Sequence, residues 1–291
     1  MRYKRTHAMS SLIRRALIIC PASEGGRAAF ACTLAAPAGA GVVAAAQAAP
    51  NQPVVLIVLE NKTYSSIVGN ANAPYIQSLI AGGTLYTNYE AAPGSLPDYF
   101  RMTSGVATTS AAKNSDNIFN QLQGIGQSWG EYEESMPSAC YLKSGPLPYD
   151  RAHNPASYYS DITSKPAACA NMVPFTAFDP AHLRSFSYVV PNDNDNMHSG
   201  SSKTAEIKAG DAWLKAHVPA MLAGGALVIV TWDEGNRSDE HIATIAIGGP
   251  AGKGVTDSHA YTHFGLLAGL ENAYGVPLLN SAKTATPFPI S

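Results

Sequence analysis

Two apolar runs constrain this chain more than anything else in it. Val54–Leu59 reads VVLIVL and Ala226–Trp232 reads ALVIVTW, and each stops on acidic or amide residues, Glu60-Asn61 and Asp233-Glu234. Unbroken β-branched runs of this length predict strands covered on both faces, which is the environment of a parallel sheet. A third run, Ser185–Val190, ends in Pro191 and a polar burst carrying Asp193, Asp195 and His198. Between the strands, Pro74–Gly82, Tyr99–Thr103, Lys203–Ala223 and His263–Tyr274 have helical spacing, with proline at a start and glycines at the stops. Leu85–Tyr89 and Ile242–Gly248 complete the predicted strands, and residues 106–175 read as loop with one helix near Ile118–Glu134. Strands alternating with helices predict an α/β fold, a three-layer sandwich on a mostly parallel central sheet.

Composition separates the chain into two parts. Arg2, Lys4, Arg5, Arg14, Arg15 and Arg27 face the single acid Glu24 in the first 27 residues, and Ala28–Ala46 carries no charge. With Ala46-Gln47-Ala48 as a small-x-small cleavage site, residues 1–48 read as an export signal and 49–291 as a single catalytic domain. Arg14-Arg15 bears a faint likeness to a twin-arginine signal, which the polar stretch Pro21–Arg27 does not fit. The leader is too broken by glycine and proline to span a membrane stably. The formal charge of -2 shifts to -7 once six basic residues and one acid leave with it. An acidic chain with no basic stripe excludes nucleic acid as a partner class. Cys140 and Cys169 then remain as an even pair bound for an oxidising compartment, periplasmic or secreted, and are expected to form a disulfide.

The chemistry collects at the strand ends, where ligands bind in open α/β sheets. Carboxylates and imidazoles converging there predict a divalent metal site. The Asp/Glu/Asn character favours Mg²⁺, Ca²⁺ or Mn²⁺, and the histidines leave Zn²⁺ open. Ser95, in the turn Gly94-Ser95-Leu96-Pro97, leads into a predicted helix whose amides would favour a phosphate, and is the candidate nucleophile. On spacing alone, Ser95 reads better as a helix cap.

From Val54 onward, nine ordered blocks resemble the secreted bacterial phosphoesterase family. They are VVLIVLENKTY, GSLPDYFRMTSG, AHNPASYY, VPNDNDNMH, DAWLKAHVPA, LVIVTWDEGN, HIATIAIGGP, YTHFGLLAGLENAYG and TATPFPI. That family contains acid phosphatases, phosphatidylinositol-phosphate phosphatases and phospholipases C, and belongs to the alkaline-phosphatase superfamily. The resemblance implies an alkaline-phosphatase-like fold and a metal-dependent phosphomonoesterase acting through a phosphoserine, on a small phosphate ester or a phosphorylated lipid head group. It implies Glu60, Asn61, Ser95, Asp233 and Glu234 as metal ligands and Ser95 as nucleophile. His153 is then a catalytic or phosphate-contacting histidine. Asp193, Asp195, His198 and His263 would form a second metal site, and Asp98 and His241 phosphate contacts. Two departures stand out: Pro97 is followed by Asp98 where the family has Asn, and Asp195-Asn196-Met197-His198 stands for Asn-Asp-Met-His. A phospholipase C-type phosphodiesterase and an inactive metal or phosphate binder of the same fold are the rival readings. The shortness of the chain favours the monoesterase. A sulfatase is rejected because the serine turn lacks the arginine of that motif.

Overall fold

The structure, a computed structural model, describes residues 50–290; the expected export signal, residues 1–48, lies outside the described residues. The strands are β1 (Val54–Leu59), β2 (Thr84–Glu90), β3 (Trp129–Glu133), β4 (Met172–Pro174), β5 (Phe186–Val190), β6 (Leu227–Trp232), β7 (His241–Ile247), β8 (Val255–Asp257) and β9 (Tyr261–Thr262). They form one sheet in the order β4-β3-β5-β1-β6-β7-β2-β8, with β9 also beside β2. β4, β3, β5, β1 and β6 are mutually parallel, while β7 runs antiparallel to both of its neighbours. β8 and β9 pair parallel with β2, so among the described residues β7 alone is reversed. The sheet is therefore mostly parallel, as the alternation of elements predicts.

The apolar runs occupy the centre for the expected reason. Every residue of β1 is fully buried, and β6 on its flank is almost as dry. Helices cover both faces. On one, α1 (Pro74–Gly82) packs with α4 (Lys203–Ala223), bringing Ile76 and Leu79 toward a layer that includes Leu214 and Val218. On the other, α2 (Ser95–Ser104) and α3 (Ile118–Gly124) pack on α5 (His263–Tyr274). Helix ends follow their side chains. Ser202 Oγ accepts from Ala205 N at 3.2 Å at the start of α4, and Thr262 Oγ1 accepts from Gly265 N at 3.3 Å at the start of α5.

The predicted helix near Ile118–Glu134 is corrected. α3 ends at Gly124 and Trp129–Glu133 is a strand, β3, lying between β4 and β5. Gly124 and Gly126 break the helix, and the buried partners on both sides supply strand pairing that local pattern does not announce. β4, β8 and β9, each two or three residues long, are likewise absent from the sequence reading.

The expected disulfide is present: Cys140 is bonded to Cys169 across a sequence separation of 29, with Cα atoms 5.0 Å apart. It ties together the two ends of the segment that carries His153. Reduction of this bond should lower unfolding free energy by roughly 3–4 kcal/mol, the loop-entropy value for such a separation, read as a shift in denaturant midpoint with and without reductant.

Glu271, buried on α5, accepts from Leu279 N at 3.0 Å and leaves Oε2 without a partner among the described residues. Burial pushes its carboxyl up to about 8, with Asp116 adding and Lys283 opposing. The folded chain thus keeps a proton that the unfolded chain releases near the ordinary glutamate value. The resulting stability is complete below that value and is lost as pH rises through about 8. Glu271→Gln should therefore flatten the fall in denaturation midpoint between about pH 5 and pH 9.

Candidate active site

Because all strands but β7 point one way, the carboxyl ends of β1, β5 and β6 open on a single sheet edge, and β7 brings its first residue there in register with Glu90. β1 delivers Glu60 and β6 delivers Asp233 and Glu234, all buried. From the opposite side, α2 begins at Ser95 and presents Ser95, Asp98 and Tyr99 on one face, at the spacing of a single helical turn. Asn61 adopts a left-handed φ of 53° that lets its backbone N–H donate to Asp233 Oδ1 at 3.0 Å, while its side chain donates to Glu60 Oε2 at 2.6 Å.

Ser95 sits among these acids. Its Oγ donates to Glu234 Oε1 at 2.8 Å and lies 3.4 Å from Glu60 Oε2. Gly94, at φ 109°, turns its N–H onto Glu234 Oε2 at 2.6 Å, a backbone conformation that a side chain would strain. Tyr99 Oη donates to Glu60 Oε1 at 2.6 Å. His153 Nε2 lies 3.2 Å from the same oxygen, its Nδ1 lies 3.4 Å from Asp193 Oδ1, and its ring stacks on Tyr99. His153 is thus bracketed by two carboxyl groups.

The electrostatics are unbalanced. Glu60, Asp98, Asp233 and Glu234 are buried together, and Arg101, bonded to Asp98 Oδ1 at 2.6 Å, is the cation paired with them among the described residues. Burial pushes Glu60 up to about 8, against the opposing influence of the neighbouring Asp233 carboxyl and the Tyr99 hydroxyl. It pushes Asp98 up to about 8 against Arg101, and it holds Asp233 well above the usual carboxylate range, with the Glu60 charge adding. Oδ2 of Asp98 and Oδ2 of Asp233 are buried without a hydrogen-bond partner among the described residues. Carboxyl groups packed this way must hold protons or share a bound cation. Among the described residues no group of three or more His, Cys, Asp or Glu side chains is arranged to hold a metal ion; Tyr, Asn, Ser and a backbone amide hold the oxygens instead.

The other sequence-predicted residues separate. His263 Nε2 meets the Asp233 carbonyl at 2.5 Å and its Nδ1 meets Tyr89 Oη at 3.1 Å. A carbonyl only accepts, so Nε2 carries the proton and Nδ1 accepts from the tyrosine. Burial lowers this imidazole to about 4, so it is neutral and both nitrogens are committed. Asp193 joins His153, whereas Asp195 has Glu134, Asn192 and His217 as its titratable and polar neighbours. His198 is exposed, its ring 6.2 Å from that of His153. Asp193, Asp195, His198 and His263 therefore do not converge as one set. Asp98 turns inward to Arg101 and the acid cluster. His241 directs Nε2 to the Thr87 carbonyl at 2.8 Å and stacks on Tyr64 with centroids 4.4 Å apart.

Tyr99, Arg101 and Lys62 escaped the sequence reading. The first two are legible as the helical neighbours of Ser95 and Asp98. Lys62 is buried, donates to Met197 O at 2.7 Å and pairs with Glu206 at 3.2 Å, tying the end of β1 to the loop after β5 and to α4. Tyr99→Phe should cost about 1–3 kcal/mol, the cost of stripping a buried acceptor, measured by denaturant unfolding; an unchanged midpoint would show that Glu60 does not depend on the phenol.

Comparison with known proteins follows the same lines. The Phosphoesterase family model matches residues 72–277. A phosphatidylinositol-3-phosphatase of Mycobacterium tuberculosis is 31% identical over 253 residues, covering 81% of each chain. A phosphate-repressible acid phosphatase of Penicillium chrysogenum is 29% identical, covering 77% of this chain and 59% of that one. Among solved structures, an alkaline-phosphatase-superfamily protein of Vibrio parahaemolyticus superposes with a TM-score of 0.57 at 12% identity over 84% of this chain and 72% of that one. Murine ectonucleotide pyrophosphatase/phosphodiesterase 5 gives 0.51 at 11% identity over 78% of this chain and 96% of that one. At such identities the likeness is one of fold.

Proposed function

The chain belongs to the Phosphoesterase family and is a phosphoric ester hydrolase, and on that premise we propose that it is an exported, metal-dependent phosphomonoesterase with Ser95 as nucleophile. The observation that carries the reading is the Ser95 hydroxyl at the first turn of α2, donating to Glu234 amid carboxyl groups that have too few cations. The unpartnered oxygen of Asp233 and the hard oxygen donors around it suit a divalent ion held by Glu60, Asn61, Ser95, Asp233 and Glu234. Such an ion, when bound, supplies Lewis-acid stabilisation of phosphoryl oxygens and favours the serine alkoxide.

The chain's own residues do the rest. Glu234 fixes the direction in which the Ser95 proton leaves, so a lone pair of Oγ faces the incoming phosphorus. In-line attack forms the Oγ–P bond and expels the alcohol; water then attacks the phosphoserine, releasing inorganic phosphate and restoring the hydroxyl. His153 is engaged at both nitrogens by Glu60 and Asp193, which suits it to holding Glu60 in place, and the departing alcohol takes its proton from water. At the start of α2 the Gly94 N–H is taken by Glu234 and Pro97 has none, which leaves the Ser95 and Leu96 amides to favour a phosphate.

The relatives named phosphatases support monoester chemistry over the phosphodiesterase reading. Export is supported by the Cys140–Cys169 bond, since such bonds persist in oxidising compartments. Ser95→Ala should lower phosphate release from a chromogenic monoester by at least about a thousandfold with unfolding unchanged; retained turnover would remove Ser95 from the mechanism. Dialysis against chelator should abolish wild-type turnover, and back-titration with Mg²⁺, Ca²⁺, Mn²⁺ and Zn²⁺ in turn should restore it with the ion the site prefers. Activity that survives exhaustive chelation would overturn the metal requirement.

A further inference from the structure

Beside the acid cluster runs a cleft of opposite character. One part, about 290 Å³, is lined by Asn61, Lys62, His198, Lys203, Glu206, Gly235, Asn236 and Arg237. A second, of about 220 Å³, shares Asn61, Lys62, Lys203 and Asn236 with it and extends along Thr63 and Ser66. The cleft begins where the reactive cluster ends. Asn61 follows Glu60 and donates to it, and Gly235 follows Glu234, so the wall starts one residue from two of the acids bonded to Ser95.

Of the cations in the cleft Lys62 is buried while Lys203 and Arg237 are exposed, and their charges are not fully spent. Glu206 is its acid, and Lys62 takes that charge at 3.2 Å. Among the described residues, neither Lys203 nor Arg237 enters an ion pair. Arg237 is held in a left-handed backbone conformation, φ 67°, within a tight loop. Asn236 Oδ1 accepts from the N–H groups of Ser238 and Asp239, Gly235 N donates to Glu240 Oε2, and a Cβ at Gly235 would lie 1.9 Å from the Asp239 carbonyl. The loop therefore presents its arginine from a fixed base. In an acidic chain, two uncommitted cations beside a phosphate-handling site are a specific feature.

We propose that Lys203 and Arg237 form an anion subsite for a second phosphate group on the leaving alcohol. It rests on the phosphatase reading and deepens it: the preferred substrates are monoesters whose alcohol itself carries a phosphate, as in a sugar bisphosphate or a phosphorylated phospholipid head group. The shared chemistry is a pair of phosphates on one polyol, one at Ser95 and one on the two cations.

The test compares the full chain with Lys203→Ala/Arg237→Ala, both loaded with the activating divalent ion, on four substrates. These are 4-nitrophenyl phosphate, glucose 6-phosphate, glucose 1,6-bisphosphate and a short-chain, water-soluble phosphatidylinositol 3-phosphate. The double variant should lose on the order of tenfold in kcat/KM on the last two, the sum of two exposed charge contacts, with the first two changed less than about twofold. Lys203→Glu/Arg237→Glu should lose more, and Lys203→Arg/Arg237→Lys should retain the preference. Loss on only one of the last two identifies the source, lipid or soluble. Equal effects on all four substrates, or none, overturn the subsite. If the wild-type protein turns over no monoester, the phosphatase reading itself fails. The subsite is then judged by calorimetric titration of glucose 1,6-bisphosphate, and equal binding to wild type and double variant overturns it.

Discussion

The packing of several carboxyl groups at one sheet edge, with Arg101 as their paired cation, sets the terms for the rest of this structure. A cluster of that kind is unfavourable in the interior unless each oxygen is bonded, protonated or shared with a cation. Much of the surrounding architecture answers that requirement. Tyr99 and His153 serve one oxygen of Glu60, Asn61 and Ser95 address the other, and the Gly94 amide serves Glu234. The fold supplies these partners from β1, from α2 and from the disulfide-closed segment, which are far apart in sequence. The acids are thus cross-linked through hydrogen bonds before any ligand arrives, which is the preorganisation that catalysis at a charged centre needs.

His263 illustrates how scaffold and site share one side chain. From the first turn of α5 it reaches the Asp233 carbonyl with one nitrogen and Tyr89 with the other. Being neutral, it adds no charge to the cluster; it fixes the peptide from which the Asp233 side chain departs. A histidine beside carboxylates in a sequence invites a ligand role. Here both nitrogens are taken up by hydrogen bonds, one to Tyr89 and one to the Asp233 carbonyl.

Legibility in the sequence follows the range of the interactions involved. β1, β6, α4 and α5 are plain in the residue pattern because a fully buried strand and an amphipathic helix impose their own periodicity. The convergence of Glu60, Ser95, Asp233 and Glu234 is legible as well, since each stands at the end or start of such an element. β3 is not, because Trp129–Glu133 becomes a strand through β4 and β5 on either side, and its acids Glu131 and Glu133 disguise a buried segment. Asp193 and Asp195 lie two residues apart and look equivalent in sequence. The turn after β5 sends one to His153 and the other toward Glu134 and His217, a matter of loop geometry that spacing does not encode.

The reversal of β7 has a further consequence. In a parallel pair the chain leaving a strand end must travel back across the sheet before the next strand begins, so one end of each such connection lies remote from the reactive edge. β7 instead returns at once, and residues 233–240 leave and rejoin the sheet at the same rim. That segment is a short bridge with both abutments at the rim that carries the acid cluster, pinned by Asp233 at one side and by Glu240 and His241 at the other. Its crown, Arg237 and Ser238, is exposed and takes no part in the pairing of β6 with β7, so a change of side chain there alters what stands over the rim while leaving the strand register as it is.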